Sequence, residues 1–347
     1  MKNILDFTKT ELAEWFKEHG MRSFRANQIF KWLYILQADS FEQMTDLSKD
    51  LRKTLEDCFC IKRLVIDEHQ VSADTTQKFL LRLEDGQHIE SVLIPEKDHF
   101  TLCVSSQVGC AQNCKFCLTA TGGFVRNLEV GEIIAQIRDA RNEFIKKNIE
   151  PLKLSNIVFM GMGEPLSNYN NVLKALSIIT DSDNGLKFSS RRVTVSTCGI
   201  VPKITQLGLD STVNLAISLN ATSDEARSSL MPINEKYPLS QLIEACRTFI
   251  IKPRNKITFE YIMMKGVNDS KQDALNLIKL LAPIKFKAKV NLIPFNQCKE
   301  LDFKCPSKQE ISDFLQILLD NDFTAMTRKS KGDDILAACG QLKAKLY

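Results

Sequence analysis

Strand-like and helix-like stretches alternate six times between residues 101 and 294. The strand candidates are short and rich in β-branched residues, and amphipathic stretches such as 130–146, 171–180, 239–250 and 271–281 lie between them. Successive β–α units favour a parallel sheet, so the predicted fold class is α/β. Six units fit a partial (β/α)6 barrel as well as an open doubly wound sheet, and in either case functional side chains are expected at the carboxyl ends of the strands. The predicted strands are 101–105, 156–161, 192–197, 213–219, 257–264 and 289–294.

The first 95 residues have a different pattern. Thr8 and Glu11 have the spacing of a capping box, and helical periodicity follows them and returns over 26–34 and 41–55. Segments 78–83 and 88–94 flank Asp85-Gly86, which is a strong hairpin signal. We therefore predict a small N-terminal helical domain leading into a β-hairpin over residues 1–95, followed by a barrel core over residues 96–335.

Composition and charge limit the location of the protein more than its function. The 347 residues include 46 Lys and Arg against 42 Asp and Glu, and a net charge of +4 permits a nucleic-acid partner without requiring one. No secretory signal and no apolar run of membrane-spanning length is found. Eleven cysteines without an export signal are expected to be reduced, so they are core residues, metal ligands or catalytic groups. The predicted location is the cytoplasm, with no membrane partner.

Three cysteines lie within eight residues directly after the first predicted barrel strand: Cys110, Cys114 and Cys117. Three thiolates on one loop can bind three irons of a [4Fe–4S] cluster and leave the fourth iron open to a substrate. S-adenosylmethionine could chelate that iron through its amino and carboxylate groups, and electron transfer into the sulfonium would release a 5′-deoxyadenosyl radical. A structural zinc site with Cys103 as fourth ligand, and three unligated core thiols, are the alternatives at this point.

Longer blocks around these cysteines resemble a known family. The blocks LCVSSQVG at 102–109, MGMGEP at 160–165, VSTCG at 195–199 and DILAACGQL at 334–342 are similar to the bacterial adenine-C2 methyltransferases of 23S rRNA and tRNA, within the radical S-adenosylmethionine superfamily. The resemblance runs from about residue 87 to the C terminus. It implies a partial radical S-adenosylmethionine barrel with the cluster on Cys110, Cys114 and Cys117. It also implies a pocket for S-adenosylmethionine formed by Gly163, Glu164, Ser196, Ser218, Leu219, Asn220 (where the family more often has His) and Asn296.

The resemblance also implies a route to a carbon that ordinary methyl transfer cannot reach. Adenine C2 is electron-poor and carries hydrogen, so it cannot displace a methyl group from a sulfonium, whereas a carbon radical can add to it. Cys339 would accept a methyl group as a thiolate, and a second S-adenosylmethionine would generate the radical on that methyl group. Glu90 would be the proton acceptor, and Cys103 the resolving thiol that forms a transient disulfide with Cys339. An acid/base role of Cys103 itself is the alternative. Residues 336–347 are then a C-terminal segment that carries the methyl-accepting cysteine.

The expected partners also follow from the family. They are 23S rRNA at its peptidyl-transferase region, tRNA 3′ of the anticodon, and a reducing donor of flavodoxin or ferredoxin type, with the protein acting as a monomer. The target base must leave its stack to reach a buried cluster, and the N-terminal domain is a natural extra RNA-binding surface. Basic clusters that could hold the RNA backbone are Arg22 with Arg25, Arg191 with Arg192, 285–289 and 328–331.

Three other functions compete with this one. The first is a related radical methyltransferase that modifies adenine C8 and confers antibiotic resistance. The motif Gly163-Glu164-Pro165-Leu166 and the segment 94–96 favour the C2 branch. The second is a non-enzymatic RNA-binding protein with structural zinc. The third is an activase that installs a glycyl radical in a partner protein, and such an enzyme would have no use for the pair Cys103 and Cys339.

Overall fold

A small helical unit closed by two short parallel strands forms the N-terminal part of the chain. The computed structural model describes residues 1–146, 154–298 and 300–344. In this unit β1 (Lys2–Asn3) pairs with β2 (Phe59–Cys60). Between them lie α1 (Lys9–Glu18), α2 (Arg25–Phe30) and α3 (Lys49–Cys58), a π-helical turn over Lys31–Ile35, and 3₁₀ turns over Ile4–Asp6 and Phe41–Gln43.

The sequence predicted the first helix well and the next two less well. The capping box is confirmed, because Thr8 Oγ1 accepts from the Glu11 amide at 3.2 Å and Glu11 Oε2 accepts from the Thr8 amide at 2.8 Å. The helical stretch predicted over 41–55 is divided, since Ser48 Oγ caps a new helix by accepting from the Leu51 amide at 3.3 Å. The stretch predicted over 26–34 changes from α to π geometry after Phe30.

Four antiparallel strands follow the helical unit: β3 (Val65–Val71), β4 (Gln77–Arg82), β5 (His88–Pro95) and β6 (Phe100–Cys103). The predicted hairpin at Asp85-Gly86 is confirmed. Arg82 pairs with His88 across it, and Gly86 has a φ of 82°, which glycine adopts without strain. Strand β3 was not predicted from the sequence, because this edge strand is exposed on both faces and lacks apolar alternation.

Parallel strands continue the same sheet. The strand order is β14-β13-β12-β11-β10-β9-β6-β5-β4-β3, and the pairs from β6 to β14 are parallel. All six predicted strands are confirmed to within two residues at each end, and β14 is an additional strand of three residues. A separate pair, β7 (Gln107–Gly109) and β8 (Phe124–Asn127), lies beside this sheet. The remaining strands are β9 (Leu154–Phe159), β10 (Val193–Thr197), β11 (Asn214–Ser218), β12 (Ile257–Met263), β13 (Ala288–Pro294) and β14 (Ala325–Thr327).

Amphipathic helices connect the parallel strands and bury one face each. In α6, for example, Val172, Leu176 and Ile179 are buried at helical spacing. These helices are α4 (Leu118–Thr121), α5 (Val130–Lys146), α6 (Tyr169–Thr180), α7 (Val201–Asp210), α8 (Asp224–Leu230), α9 (Ile233–Lys236), α10 (Leu239–Thr248), α11 (Lys271–Leu281) and α12 (Lys308–Asp320). Shorter 3₁₀ turns cover Pro165–Asn168, Ser190–Arg192, Ala282–Lys287 and Asp333–Ile335. No helix of the described residues is both long enough and apolar enough to span a membrane.

The sheet crosses the domain boundary that the sequence suggested. Val92 of β5 pairs with Cys103 of β6, so the hairpin of the first 95 residues is hydrogen-bonded to the barrel strands. The division into domains at residues 95 and 335 stays a prediction. Of the predicted C-terminal segment 336–347, residues 345–347 lie outside the described part of the chain.

A turn of the N-terminal half holds the segment before the C terminus. Asp334 accepts hydrogen bonds from Ser72 Oγ at 2.5 Å and from the Ala73 amide at 3.0 Å. In return, Asp74 Oδ2 accepts from the Gly332 amide at 3.1 Å. We call this reciprocal arrangement the aspartate clasp, and it ties residues 332–334 to the turn between β3 and β4.

Replacing Asp334 with alanine should loosen the C-terminal segment without unfolding the barrel. The substitution removes both hydrogen bonds that Asp334 accepts, while the strands of the sheet keep their pairing. Hydrogen–deuterium exchange should therefore become faster in peptides covering residues 330–344 and stay unchanged in β9 to β13. Asp57→Ala, at an exposed aspartate of α3, is the matched control. Equal protection of residues 330–344 in the Asp334→Ala variant and the wild type would show that the clasp does not hold the segment.

Candidate active site

One cavity opens at the carboxyl ends of the parallel strands, where the fold class predicts function. The loop that follows β7 and the C-terminal segment form its remaining walls. Cys110, Cys114, Cys117 and Cys339 all line this space, which we call the thiol cavity. Strand residues that line it are Phe159, Ser196, Thr197, Ser218, Glu260, Ile262 and Ile293.

The cysteine loop is held in place by backbone geometry. Strands β7 and β8 bring Gly109 against Gly123, and the Cys110 amide donates to the Gly123 carbonyl at 2.7 Å. Gly109 has a φ of 71°, and a Cβ at this position would lie 1.9 Å from the Gly123 carbonyl oxygen. Only glycine fits there. This glycine starts the turn that directs the three cysteines toward the cavity.

The thiols are gathered in a low-dielectric space that disfavours free thiolates. Burial raises the pKa of Cys110 to about 12 and raises that of Cys114 further, and the charges of neighbouring thiolates act in the same direction. A positively charged metal centre would reverse this preference, because coordinated thiols are deprotonated. The donor set therefore suits a metal centre that bears several positive charges.

The number and placement of the donors favour a cluster over a single ion. Among the described residues, no group of three or more His, Cys, Asp or Glu side chains is close enough to hold one metal ion. The three loop cysteines nevertheless line the same cavity. A cubane holds its ligands apart by its own width, whereas zinc needs four donors in one tetrahedral shell. The residues present thus fit a [4Fe–4S] cluster better than zinc.

Glu164 is a buried carboxylate that joins two elements of the cavity wall. Its Oε1 accepts from the Leu166 amide at 3.0 Å and so caps the 3₁₀ turn Pro165–Asn168. Its Oε2 accepts from the Cys198 amide at 2.8 Å at the end of β10. Burial raises the pKa of Glu164, and the two amide donors oppose that rise. The carboxylate therefore fixes the end of β10 as well as lining the cavity.

Most of the other residues predicted to bind S-adenosylmethionine line the thiol cavity. Gly163, Ser196, Ser218 and Asn220 line the thiol cavity together with Glu164. Leu219 is buried beside it, and its amide donates to the Glu260 carbonyl at 2.9 Å. These assignments stay predictions.

Two asparagines among the predicted ligands make structural contacts. Asn220 has a left-handed φ of 57°, and its Oδ1 accepts from the Ile262 amide at 2.8 Å, which ties β11 to β12. Asn296 does not line the thiol cavity. Its Nδ2 donates to the Cys339 carbonyl at 3.4 Å, and its Oδ1 accepts from Ser330 Oγ at 2.5 Å. Asn296 therefore supports the C-terminal segment in this structure.

Cys339 faces the cysteine loop. Its side chain is exposed into the thiol cavity, while the Gly340 carbonyl accepts from the Leu118 amide at 2.7 Å at the start of α4. The surrounding protein raises the pKa of Cys339 to about 11, and the Glu260 carboxylate adds to the rise. Cys103 is buried on β6, where burial and then the charge of Cys339 raise its pKa. The structure thus brings the two predicted partner thiols into one region.

Glu90 lies in a second cavity on the other side of the C-terminal segment. Its Oε2 accepts from the Lys343 amide at 2.7 Å, and its Oε1 lies 3.3 Å from the Lys78 ammonium. Burial raises the pKa of Glu90, and Lys78 opposes that rise. Leu336, Gln341 and Lys343 line this Glu90 cavity, whereas Cys339 and Gly340 line the thiol cavity. Glu90 therefore lines a different cavity from Cys110, Cys114, Cys117 and Cys339.

Several residues of the site were not predicted from the sequence. Cys198 is buried and lines the thiol cavity, although the sequence analysis gave it no role; its position at the end of a strand was the available signal. Glu260 lies in the middle of β12 and pairs in register with Asn291, whose Nδ2 donates to Glu260 Oε1 at 3.0 Å. Arg227 is fully buried behind Cys198, and no motif marked it.

Two of the predicted basic clusters differ in how available they are. In the run 285–289, Lys287 Nζ donates to the Arg247 carbonyl at 2.7 Å and Lys285 pairs with Asp322 at 3.4 Å. Arg328 and Lys329 are exposed, and Arg328 is close enough to Cys339 to lower its pKa. The run 328–331 is therefore the better placed of the two for an RNA backbone.

Known proteins match this chain over nearly its whole length. Residues 2–61 match the ribosomal RNA large subunit methyltransferase N-terminal domain, and residues 104–278 match the radical SAM superfamily. The dual-specificity RNA methyltransferase RlmN of Desulfosudis oleivorans is 56% identical over 345 residues, covering 99% of this chain and 91% of that relative. The RlmN of Geobacter sulfurreducens is 50% identical, covering 100% of this chain and 93% of that relative.

A solved structure supports the same assignment. The crystal structure of a radical SAM methyltransferase from Sphaerobacter thermophilus aligns with a TM-score of 0.91 at 41% identity, covering 99% of this chain and 100% of that one. The predicted fold, a partial radical SAM barrel with a small N-terminal domain, is confirmed.

Glu164→Gln should destabilise the site locally and lower the free energy of unfolding. A glutamine amide can accept from only one of the two backbone donors, so the amide of Cys198 or of Leu166 loses its partner. A buried unpaired N–H costs about 1–3 kcal/mol. Urea unfolding of the reconstituted protein measures the change, with Glu18→Gln at an exposed glutamate of α1 as the control. Equal unfolding midpoints for the Glu164→Gln variant and the wild type would contradict the role of this carboxylate.

Proposed function

The chain belongs to the RlmN family of dual-specificity RNA methyltransferases, within the radical SAM superfamily, and we propose that it methylates C2 of adenosine in 23S rRNA and in tRNA. The observation that carries the proposal is that Cys339 lies in one cavity with Cys110, Cys114 and Cys117. A methyl-accepting thiol next to a cluster loop is what a radical methylation of an unreactive carbon requires.

The cofactors of the family are a [4Fe–4S] cluster and S-adenosylmethionine. Cys110, Cys114 and Cys117 hold the cluster, which supplies the electron that cleaves the sulfonium when both are bound. Glu164 and the backbone around Gly163 would hold the methionyl part of the cosubstrate, and Ser196 and Ser218 lie at the adjacent strand ends. Their arrangement around the cavity supports these assignments.

Cys339 acts first as a methyl acceptor. Its thiol must lose a proton to attack the sulfonium methyl group, and the raised pKa of Cys339 in the free protein opposes this step. The positive charge of a bound sulfonium favours the thiolate. Binding of S-adenosylmethionine therefore provides both the methyl group and the charge that activates its acceptor.

Cys103 and Glu90 complete the reaction after the methyl carbon has joined C2. The adduct would return one electron to the oxidised cluster held by Cys110, Cys114 and Cys117, and Glu90 takes the C2 proton once the Lys343 amide has released its carboxylate. The Cys103 thiolate then attacks the Cys339 sulfur, the sulfur–carbon bond breaks, and its electron pair leaves on the methyl carbon, which takes up a proton. The resulting disulfide is reduced by cellular thiols.

RNA approaches the side of the barrel where the strands end. Arg328 and Lys329 of the basic run 328–331 are exposed, and Arg328 is close enough to Cys339 to lower its pKa, so this run suits the phosphates next to the flipped adenosine. The N-terminal helical domain adds a second contact surface for folded RNA. The protein works in the cytoplasm as a monomer and receives electrons from a flavodoxin- or ferredoxin-type donor.

The competing functions receive less support. No group of donors among the described residues could hold a single metal ion such as zinc, and the paired cysteines Cys103 and Cys339 have no purpose in a glycyl-radical activase. Methylation at adenine C8 would use the same thiols. Anaerobic reconstitution followed by RNA digestion and mass spectrometry of the nucleosides locates the methyl group on C2 or C8, and methylation at C8 would overturn the proposal.

Cys339→Ala should abolish methylated RNA while 5′-deoxyadenosine is still released. The variant keeps the three loop thiols but has no methyl acceptor. Nucleoside analysis and chromatography of the small-molecule products measure the two outcomes, and Cys60→Ala, remote on β2, serves as the control. Methylated RNA from the Cys339→Ala variant would remove the covalent route.

Cys103→Ala should trap the protein on its RNA. Without a resolving thiol, the sulfur–carbon bond to the base cannot be broken by disulfide formation. A covalent complex that survives denaturing electrophoresis and disappears on nuclease digestion is expected. Normal turnover by the Cys103→Ala variant would assign disulfide formation elsewhere.

A further inference from the structure

Arg227 of α8 is an arginine with no exposed surface. Its guanidinium donates to three carbonyl oxygens and one amide oxygen, all of them neutral. The partners are the carbonyls of Leu219 at 3.1 Å, Ser218 at 3.1 Å and Cys198 at 2.6 Å, and Asn234 Oδ1 at 3.1 Å. Arg227 thus joins the ends of β10 and β11, where residues of the thiol cavity lie.

No carboxylate in the described part of the chain forms an ion pair with Arg227. The nearby carboxylate of Asp224 is occupied by Asn234 Nδ2 at 3.0 Å and by the Leu239 amide at 2.8 Å. Arg138, the other fully buried arginine, differs because Asp39 lies 3.8 Å from its Nη2. A buried charge without a counter-ion is strongly unfavourable. The position of Arg227 therefore calls for an anion that the protein side chains around it do not supply.

The cysteine loop is the neighbour that can supply it. The Lys115 amide donates to the Leu230 carbonyl at the end of α8 at 3.0 Å. Leu230 also packs in one cluster with Phe116, Cys114 and Cys198. Arg227 Nη2 donates to the carbonyl of Cys198, and Cys198 lines the thiol cavity together with Cys114. The guanidinium thus lies directly behind the wall that the cluster ligands face.

On the basis of the proposed function, we propose that Arg227 is the buried counter-charge of the thiolate-ligated cluster, so that it makes the cluster easier to reduce. Reduction adds negative charge to a site that already carries three thiolates, and a fixed cation nearby stabilises the reduced form more than the oxidised one. Arg227 is a positioning and tuning residue, since its four hydrogen bonds go to backbone carbonyls and to the Asn234 amide oxygen.

The carboxylate of S-adenosylmethionine is a second source of negative charge. A bidentate ion pair with that carboxylate would need two free N–H groups along one edge of the guanidinium. Nε, Nη1 and Nη2 together already make four hydrogen bonds to protein oxygens, which leaves one N–H free. The cluster, which needs only proximity, is the better counter-ion.

Three variants separate charge from hydrogen bonding. Arg227→Gln removes the charge, and Arg227→Lys keeps it with fewer donors. Asn234→Asp, made together with Asp224→Asn so that two carboxylates do not face each other, places a carboxylate on Nη1 while the arginine remains. Potentiometric titration of the reconstituted protein, followed by electron paramagnetic resonance without RNA, gives the midpoint potential. We expect more negative midpoints for Arg227→Gln and for the double variant, and a midpoint near that of the wild type for Arg227→Lys.

Controls make each outcome decisive. Arg138→Gln removes a buried arginine elsewhere and should leave the midpoint unchanged, and cluster content together with thermal unfolding reports folding. If Arg227→Gln does not fold, the double variant still tests the charge. Unchanged midpoints in folded variants would overturn the inference, as would weaker binding of S-adenosylmethionine without a change in potential. Failure of the wild type to take up iron would instead overturn the proposed function.

Discussion

The gathering of thiols in one buried cavity is the constraint that the rest of this site accommodates. Burial and mutual repulsion disfavour their charged forms, so a centre that bears positive charge must hold them together. The backbone provides the geometry, through a glycine at position 109 that no other residue can replace. Buried polar groups then fix the surrounding strand ends: Glu164 accepts from two amides, and Arg227 donates to three carbonyls. The fold supplies the place where these elements meet.

The alternating segments of the sequence predicted this place because parallel strands buried by helices have a strong local pattern. The six central strands were predicted to within two residues at each end, and the predicted helix 130–146 has the observed bounds. The edge strands β3 and β14 were missed for a physical reason: an edge strand is short or exposed and carries little apolar alternation. The division of the stretch 41–55 depended on a single capping serine at position 48, a local signal that was overlooked.

Residues of the candidate site could be predicted from the sequence only where their signal lies within a short segment. Three cysteines within eight residues are conspicuous in any sequence, and the structure places all three in one cavity. Two contacts join residues more than 250 positions apart, and no local sequence pattern predicts them. They are the contact of Glu90 with Lys343 and that of Ser72 with Asp334. Arg227 illustrates the same limit, because an arginine in an amphipathic helix is ordinarily a surface residue and only the packing of α8 against the cysteine loop buries it.

The C-terminal segment, finally, lines both the thiol cavity and the Glu90 cavity, and this arrangement bears on the order of the reaction steps. While Cys339 faces the loop thiols, the Lys343 amide masks the carboxylate of Glu90. If Cys339 accepts the methyl group and Glu90 takes the proton, as we propose, the two steps require different arrangements of residues 339–343, because the Lys343 amide occupies the Glu90 carboxylate during the first step. A single displacement of residues 339–343 would free the Glu90 carboxylate as the Cys339 sulfur moves away from the cysteine loop. The movement of this segment, rather than the relative reactivity of the groups, would then set the order of methyl transfer and proton removal.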